Sequence, residues 1–436
     1  MKSNNPVVST IVKNYKTSQK AFLPKVVNIP LSQECDSFYK CTVKPGDIVK
    51  EGDVIAQTEI AEGWTSSLHS SIPGKVISTE ACFSPNGRQE FAVKIQFGGA
   101  LSYLGKIQQE KTPLDFKSDE IASLLIKNGV VNTFKTAIPE NLGVQINQIN
   151  TQSDTHNLVV RLFDEDPYRI TDSLVAKFYF EEIVKGARII AKAINAKGIV
   201  FAIDHKAEDK SWATNPEYKD IYQLEMKIQR YPCGTPREIV SAFTRGPLNK
   251  ICNFQLTKTD LFTDASTVYE VYKAAALGIP CVDRLVHFSG NCLNASCMLD
   301  VKLGTNLRDI IPQIGGFTKE PAHIIINGML CGTSVKSLDI PITKYVKSVE
   351  FLSKKKNSDE QIYSCVNCGN CRFVCPIKLS PDILYNHTVN FKLLKEMYAA
   401  SSLACIECGL CNTVCPARLP LCQTIKVLKN KLQEQD

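Results

Sequence analysis

The chain carries one cysteine pattern twice, forty residues apart, and that pattern constrains the C-terminal end more than any other feature of the sequence. The first copy reads Cys365-Val-Asn-Cys368-Gly-Asn-Cys371-Arg-Phe-Val-Cys375-Pro376. The second reads Cys405-Ile-Glu-Cys408-Gly-Leu-Cys411-Asn-Thr-Val-Cys415-Pro416. Three thiolates on one tight loop can reach three metals of a single compact cluster. The fourth cysteine leads into the next segment and cannot fold back onto the same group, so it serves the other one. Zinc sites use two C-x2-C pairs without a third cysteine and a trailing Cys-Pro. Disulfides need an oxidising compartment. The start, Met1-Lys2-Ser3-Asn4-Asn5-Pro6, lacks the apolar core of a secretory signal, so a cytosolic, thiol-reducing setting is expected.

The spacing is that of bacterial two-cluster ferredoxins, so two [4Fe-4S] clusters are expected. Cys365, Cys368, Cys371 and Cys415 are assigned to one, and Cys405, Cys408, Cys411 and Cys375 to the other. Gly369 and Gly409 suit a close approach of backbone to an inorganic cluster, and Pro376 and Pro416 end each loop. Ile383, Leu384, Val389, Leu393, Leu394 and Met397 recur at helical spacing between the motifs, which predicts connecting helices. Two cross-ligated clusters form a path for single electrons. The other ten of the eighteen cysteines show no ligand spacing and read as small buried hydrophobes. Cys422, six residues past Pro416, is placed to pack near a cluster without ligating it.

A length of 436 residues suggests roughly three domains. With 44% hydrophobic and 22% charged residues, the composition excludes wholesale disorder. No run of 18 apolar residues occurs, so no segment is expected to span a membrane. The net charge of +7 is a weak bias toward an anionic surface or an acidic partner. Nucleic-acid binding is not expected, because no basic block is interleaved with aromatics. The run Lys354-Lys355-Lys356 reads as a solvated linker.

The fold class is α/β multidomain, with four domains. Residues 1–110 alternate apolar positions with Gly46-Asp47 and Gly52-Asp53 turns, followed by His69-Ser-Ser-Ile-Pro73-Gly74-Lys75-Val76. This predicts a barrel-sandwich-hybrid-like β-domain. Carrier domains of that shape modify a lysine at a hairpin tip, and Lys75 lacks that setting. Residues 111–290 read as a Rossmann-like parallel α/β domain: strands at 157–163 and 198–204 flank a long helix from Thr171 to Ile194. Acidic residues (Asp164, Asp166, Asp204) stand at the carboxyl ends of the strands, where ligands of such sheets bind. Residues 291–350 read as a β-grasp-like (SLBB) domain, and 351–436 as an α-helical bis-[4Fe-4S] ferredoxin domain.

In this order the segments resemble the C subunit of the Rnf ion-translocating electron-transport complex, over nearly the whole chain. The resemblance rests on Ile29-Pro-Leu-Ser-Gln33, the Gly-Asp turns, His69 to Val76, Arg230-Tyr231-Pro232-Cys-Gly234, Asp264 to Thr267 with Ala275 to Pro280, Gly304-Thr305, Pro341 to Lys344 and the cysteine motifs. It implies a peripheral subunit on the cytoplasmic face of the cell membrane, bound to integral membrane subunits. It also implies a hydride from NADH delivered to FMN, and single electrons passed onward to the clusters. The family's glycine-rich flavin loop corresponds here to Lys127-Asn128-Gly129-Val130-Val131-Asn132-Thr133-Phe134, where one glycine survives. Val130 and Val131 are stiff and β-branched and suit neither positive φ nor a close phosphate. Gly129, Asp164, Asp166 and Tyr168 are what remains of the implied flavin site.

Two accounts of the electron donor stay open: an altered flavin site, or loss of FMN and NADH binding with electrons arriving from a ferredoxin, flavodoxin or other protein. The second is the expectation. A flavin-dependent, NADH-oxidising, cobalamin-reductase-like enzyme and a non-catalytic iron–sulfur adaptor are the other readings. Asp164 and Asp166 also fit a plainer role, capping the helix that follows Tyr168.

Overall fold

The computed structural model describes residues 15–433 except 16–17, 35–37, 62–63, 107, 136–138, 153–154, 207–211, 213–214, 228–230, 355–360 and 391–398. Arg230, Lys355, Lys356, Leu393, Leu394 and Met397 therefore lie outside the described residues. The chain divides into two compact units, 1–353 and 354–436.

The first unit opens with two small antiparallel sheets. Strands β1 (Val26–Pro30), β3 (Ile48–Val49), β6 (Gly74–Phe83) and β7 (Gln89–Phe97) form one, in the order β1-β7-β6-β3. Strands β2 (Lys40–Cys41), β4 (Val54–Ala61) and β5 (Trp64–His69) form the other. Strand periodicity turns Val27, Ile29, Ile55, Leu68, Val93 and Ile95 into a shared core. Asp47 and Asp53 close the two Gly-Asp turns, accepting the backbone N–H groups of Lys44 and Lys50 at 2.7 Å each. Lys75 lies within β6, paired to Ile48 on one side and Gln96 on the other. It is a sheet residue and does not stand at a tip.

Helix α1 (Ser118–Lys127), the pair β8 (Val131–Asn132) and β9 (Glu140–Asn141), and α2 (Leu142–Asn150) lead into a parallel sheet. Its strands are β10 (Leu158–Arg161), β11 (Ile199–Asp204), β12 (Ile221–Met226) and β13 (Leu261–Asp264), in the order β12-β11-β10-β13. Both faces are covered, as parallel sheets require. Val159, Val200 and Leu224 pack under Ile239 and Phe243 of one helix, Pro236–Arg245. Leu158, Val160 and Phe201 pack under Leu125, Ile146, Ile190 and Val268 on the opposite face.

The helix expected from Thr171 to Ile194 is in fact two, α3 (Thr171–Phe178) and α4 (Phe180–Ala193), broken at Tyr179 (φ −129°, ψ 39°). The break lets the Tyr179 ring meet Tyr269 at 4.5 Å and its hydroxyl bond Ser18. The apolar face continues across it, which is why periodicity alone reads a single helix.

The rest of the unit is a mixed six-stranded sheet. Its strands are β14 (Asp283–Ser289), β15 (Cys297–Lys302), β16 (His323–Ile326), β17 (Thr333–Val335) and β18 (Ser348–Leu352), with Gln19–Lys20 at one edge. The sheet starts at Asp283, ahead of residue 291, where the sequence pattern placed the change of domain.

Three lysines of this region bury their amines among carboxylates, all but Asp283 supplied by other parts of the unit. Lys344 meets Glu34 at 2.9 Å, and Lys302 meets Glu51 at 2.7 Å and Asp283 at 3.0 Å. Lys347 meets Asp172 at 2.7 Å and Asp264 at 2.6 Å. Breaking a buried pair leaves an unpaired charge, at a cost of about 3–5 kcal/mol. These contacts therefore fix how the layers of the unit meet.

The second unit contains the short helices Asn370–Val374 and Leu410–Thr413 and the longer Pro381–Asn390 and Leu421–Gln433. Leu384, Ala399, Ile425 and Leu428 form its small core. No described helix is long and apolar enough to cross a membrane.

Candidate metal centre and the crevice of the parallel sheet

The forty-residue repeat in sequence is also a repeat in backbone conformation. Asn367 and Glu407 are left-handed at φ 54° and 56°, Gly369 and Gly409 at 73° and 71°, and Lys378 and Arg418 at 61° and 55°. Each loop therefore bends at matched positions and then enters a short helix. Glycine meets the second bend without the strain a Cβ would bring. Backbone N–H groups turn toward sulfur: Glu407 donates to Cys405 Sγ at 3.4 Å, and Leu379 to Cys375 Sγ at 3.3 Å.

Cys365, Cys368 and Cys371 line one recess, and the fourth thiol on its wall is Cys415, from the other motif. Val366, Ala417, Leu419 and Leu421 make the remaining wall largely apolar. In the second motif, Cys408 lies within electrostatic reach of Cys405 and of Cys375 from the first. Cys411 Sγ lies 3.8 Å from Asn412 Oδ1. Burial pushes Cys405 up to about 11 and Cys408 up to about 12, so a metal taken up there must displace protons.

A single zinc ion would hold four thiols about 3.8 Å from one another. Among the described residues no group of three or more His, Cys, Asp or Glu closes on a single ion. The recess brings three thiols of one motif and one of the other onto a largely apolar wall.

The parallel sheet offers the other place where a ligand would be expected. Strand β10 has β11 on one side and β13 on the other, and the crevice outside their carboxyl ends is where open α/β sheets bind ligands. Here that position is filled by the chain itself. Arg161 ends β10 with no exposure at all. It donates to Gly234 O at 2.9 Å and Phe134 O at 2.8 Å, and its guanidinium lies 4.1 Å from the centre of the Phe134 ring. Asp264 ends β13, equally buried, and accepts from Lys347 Nζ, Thr133 Oγ1 and the Thr267 N–H. Lys347 holds Asp264 well below the usual carboxylate range, whereas burial and the Asp264 charge push Asp172 up.

Comparison with known proteins gives these two regions a context. Residues 10–99 match the RnfC barrel sandwich hybrid domain, and residues 364–419 match the 4Fe-4S dicluster domain. The C subunit of the ion-translocating oxidoreductase complex of Rhodobacter capsulatus is 27% identical over 422 residues, 94% of this chain and 79% of that protein. The C subunit of the Na(+)-translocating ferredoxin:NAD(+) oxidoreductase complex of Acetobacterium woodii is 24% identical over 364 residues, 82% and 80% of the two chains. Its proton-translocating counterpart in Clostridium ljungdahlii is 25% identical over 381 residues, 85% and 80%. The chain is a homologue of these C subunits. A solved chain of an NAD+-reducing [NiFe]-hydrogenase overlaps 56% of this chain and 47% of its own at a TM-score of 0.43 and 13% identity, too distant to carry the comparison further.

Against that kinship, Gly129, Asp164 and Asp166 of the implied flavin site are engaged by the chain's own groups, and the Tyr168 side chain is exposed. Gly129 sits at φ 67° with Lys344 Nζ and Ser67 O each 2.6 Å from where a Cβ would stand. The close approach it permits is to the protein, not to a cofactor. Asp164 accepts from Arg169 Nε at 2.9 Å and from the backbone of Asp172 and Ser173 at 3.2 and 3.1 Å, so it caps α3 from outside the helix. Asp166 has no exposure and accepts from the Tyr168, Leu330 and Cys331 N–H groups at 2.9, 2.7 and 3.1 Å. Tyr168 is partly exposed and touches the network only through its backbone. Three of the four residues are thus committed to contacts within the chain.

Sequence reasoning did not find Asp382. Its carboxylate lies on the wall of the first recess, beside Cys371, and pairs with Arg372 at 2.7 and 2.5 Å. The forty-residue offset, carried past the Cys-Pro, matches Asp382 to Cys422 and would have exposed it.

Proposed function

We propose that the chain is a peripheral electron-relay subunit of a membrane-bound, ion-translocating oxidoreductase complex, held on the cytoplasmic face of the cell membrane by integral membrane subunits. Two [4Fe-4S] clusters supply one-electron exchange. Cys365, Cys368, Cys371 and Cys415 hold one, and Cys405, Cys408, Cys411 and Cys375 hold the other. The observation that carries the reading is the recess in which three thiols of one motif meet the fourth thiol of the other. Exchanged fourth ligands tie the two loops together, so the clusters are held as a fixed pair. The apolar walls lower the polarity around the sulfurs, and the inward N–H groups stabilise negative charge on them.

The electrons come from a protein donor, a reduced ferredoxin or flavodoxin, and not from NADH through FMN. Arg161, Phe134, Asp264 and Lys347 fill the crevice a dinucleotide or flavin would use, and the carboxylates left from the implied site, Asp164 and Asp166, already accept hydrogen bonds from the chain. The test is to reconstitute the full chain anaerobically and follow its visible cluster absorption. Reduced ferredoxin bleaches it and NADH alone does not. Bleaching by NADH alone would overturn the choice of donor.

A further inference from the structure

The two cluster loops match in backbone, yet one lies at the surface and the other under cover. Cys368, the middle thiol of the first loop, is exposed, and so is Asn370 beyond it. Forty residues on, Cys408 is only 8% exposed, and Gly409 and Leu410 are buried. The cover is the helix Leu421–Gln433. Its Lys429 donates to Cys405 O and to Glu407 at 3.1 Å each, and its Lys426 meets Glu407 at 3.2 Å. Its Ile425 and Leu428 belong to the core against which Cys405 packs. The open side of the first loop is apolar and basic. Val366, on the wall of the recess, is 65% exposed, and Phe373, two residues past Cys371, is 89% exposed. In the second loop Ile406 at the place of Val366 is 37% exposed, and the polar Thr413 stands at the place of Phe373. From Gln361 to Pro381 the chain carries no carboxylate. Arg372 stands outermost, 49% exposed above the 6% exposed Asp382, and Arg418, next to Ala417 of the recess wall, is exposed. The charge presented there is positive.

We infer that the open side of the first cluster loop, with Val366, Phe373, Arg372 and Arg418, is the docking surface for a small acidic one-electron carrier protein. The inference rests on the cluster and donor readings given above and adds the face at which the donor binds. Large apolar side chains left in water beside a functional recess mark an interaction surface. An aromatic anchor supplies most of the affinity of such a face, and cations around it steer an acidic partner. Transient redox contacts are small, below about 1,200 Å² in all, so a patch on one loop is enough. A thiol that reaches the surface, as Cys368 does, brings its site within reach of a docked partner. One electron crosses: the carrier is oxidised, the chain is reduced, and no bond or proton moves. The second loop, closed by the helix Leu421–Gln433, receives its electrons through the first.

The test uses the full chain, reconstituted anaerobically, with an acidic bacterial two-cluster ferredoxin as the probe. The Kd for the ferredoxin and the rate of reduction by it are measured for wild type, Phe373→Ser, Arg418→Glu and Val427→Ser. Val427 is an exposed apolar residue of the covering helix and serves as the control. All four proteins are expected to hold about eight irons. Phe373→Ser weakens binding about tenfold. Arg418→Glu weakens it about fivefold at low salt, and the loss fades at about 0.3 M salt. Val427→Ser binds as wild type does. Equal binding by all four would overturn the inference, and so would an equal loss in Val427→Ser. A wild-type dimer that Phe373→Ser turns into a monomer would overturn it too, since the face would then belong to a second copy of the chain. A wild type that holds eight irons but neither binds ferredoxin nor is reduced by it would overturn the donor reading and the docking face together. A wild type that takes up no iron would overturn the cluster reading, and the docking face with it.

Discussion

The crevice of the parallel sheet and the recess between the cysteine loops are both places where the kinship of this chain leads one to expect a cofactor, and the chain treats them in opposite ways. At the crevice the strand-end groups bond largely within the protein, Arg161 to Phe134 and Gly234 and Asp264 to Lys347, Thr133 and Thr267, with the Arg161 Nε left unpartnered. At the recess the thiols stand on a largely apolar wall, with Asn367 and the Asp382 carboxylate as the polar side chains beside them. A ligand site is recognised by what its polar groups lack. We propose on this contrast that the recess takes a cofactor and that the crevice is closed by the chain's own ion pairs.

The sharpest way to break this contrast is to move a ligand. Cys375→Ala lies in the first motif but should abolish the second cluster, leaving about four irons of eight and the EPR signal of the first cluster intact. Loss of the first signal in its place would sink the cross-ligated assignment.

The crevice should respond to mutation as a core does. Lys347→Met leaves Asp172 and Asp264 buried side by side without their cation. It should lower the unfolding free energy by about 3–5 kcal/mol in a denaturant titration, without any gain of flavin binding. A stable variant that takes up FMN would show that the lysine had only been blocking a working site.

Gly129→Ala brings a Cβ to 2.6 Å from Lys344 Nζ and Ser67 O at φ 67°. On the order of 2–3 kcal/mol should be lost, from left-handed strain and overpacking together. The cluster spectrum and reduction by ferredoxin should stay as they are in the intact chain; altered electron input at unchanged stability would return the glycine to a cofactor role.

The smallest effect concerns Glu350, buried on β18 with one carboxylate oxygen unpartnered. Burial, with Asp166 nearby, pushes it up to about 8 from the ordinary 4.5. The unfolded chain therefore loses this proton first. The stability linked to it is full below 4.5 and falls as pH rises toward 8. Glu350→Gln should remove that slope, leaving the variant on the order of 2 kcal/mol more stable than wild type near pH 8 and little changed near pH 4.5. Parallel melting curves for the two proteins across this window would contradict the assignment.

What could be read from the sequence, and what could not, follows the range of the forces involved. The cysteine loops were legible because a cluster imposes fixed spacing along a few residues of chain. The Gly-Asp turns and the β10–α–β11 crossover were legible for the same local reason. The single helix predicted from Thr171 to Ile194 failed because one residue, Tyr179, leaves the helix to reach Ser18 and Tyr269 while the apolar period runs on. The buried lysines were invisible. Lys344 and Glu34 lie 310 positions apart, and a charged residue read alone belongs on the surface. The departure from a glycine-rich loop could be seen at Val130 and Val131. What fills the crevice could not, since Arg161, Asp264 and Lys347 meet only in the fold.

The most direct test of the account is to purify the full chain anaerobically from cells supplied with iron and riboflavin, and to count iron and released flavin in the same sample. The account predicts about eight irons per chain and no flavin. Eight irons with one FMN per chain would contradict it, and would mean that the crevice opens in a way its buried ion pairs do not suggest.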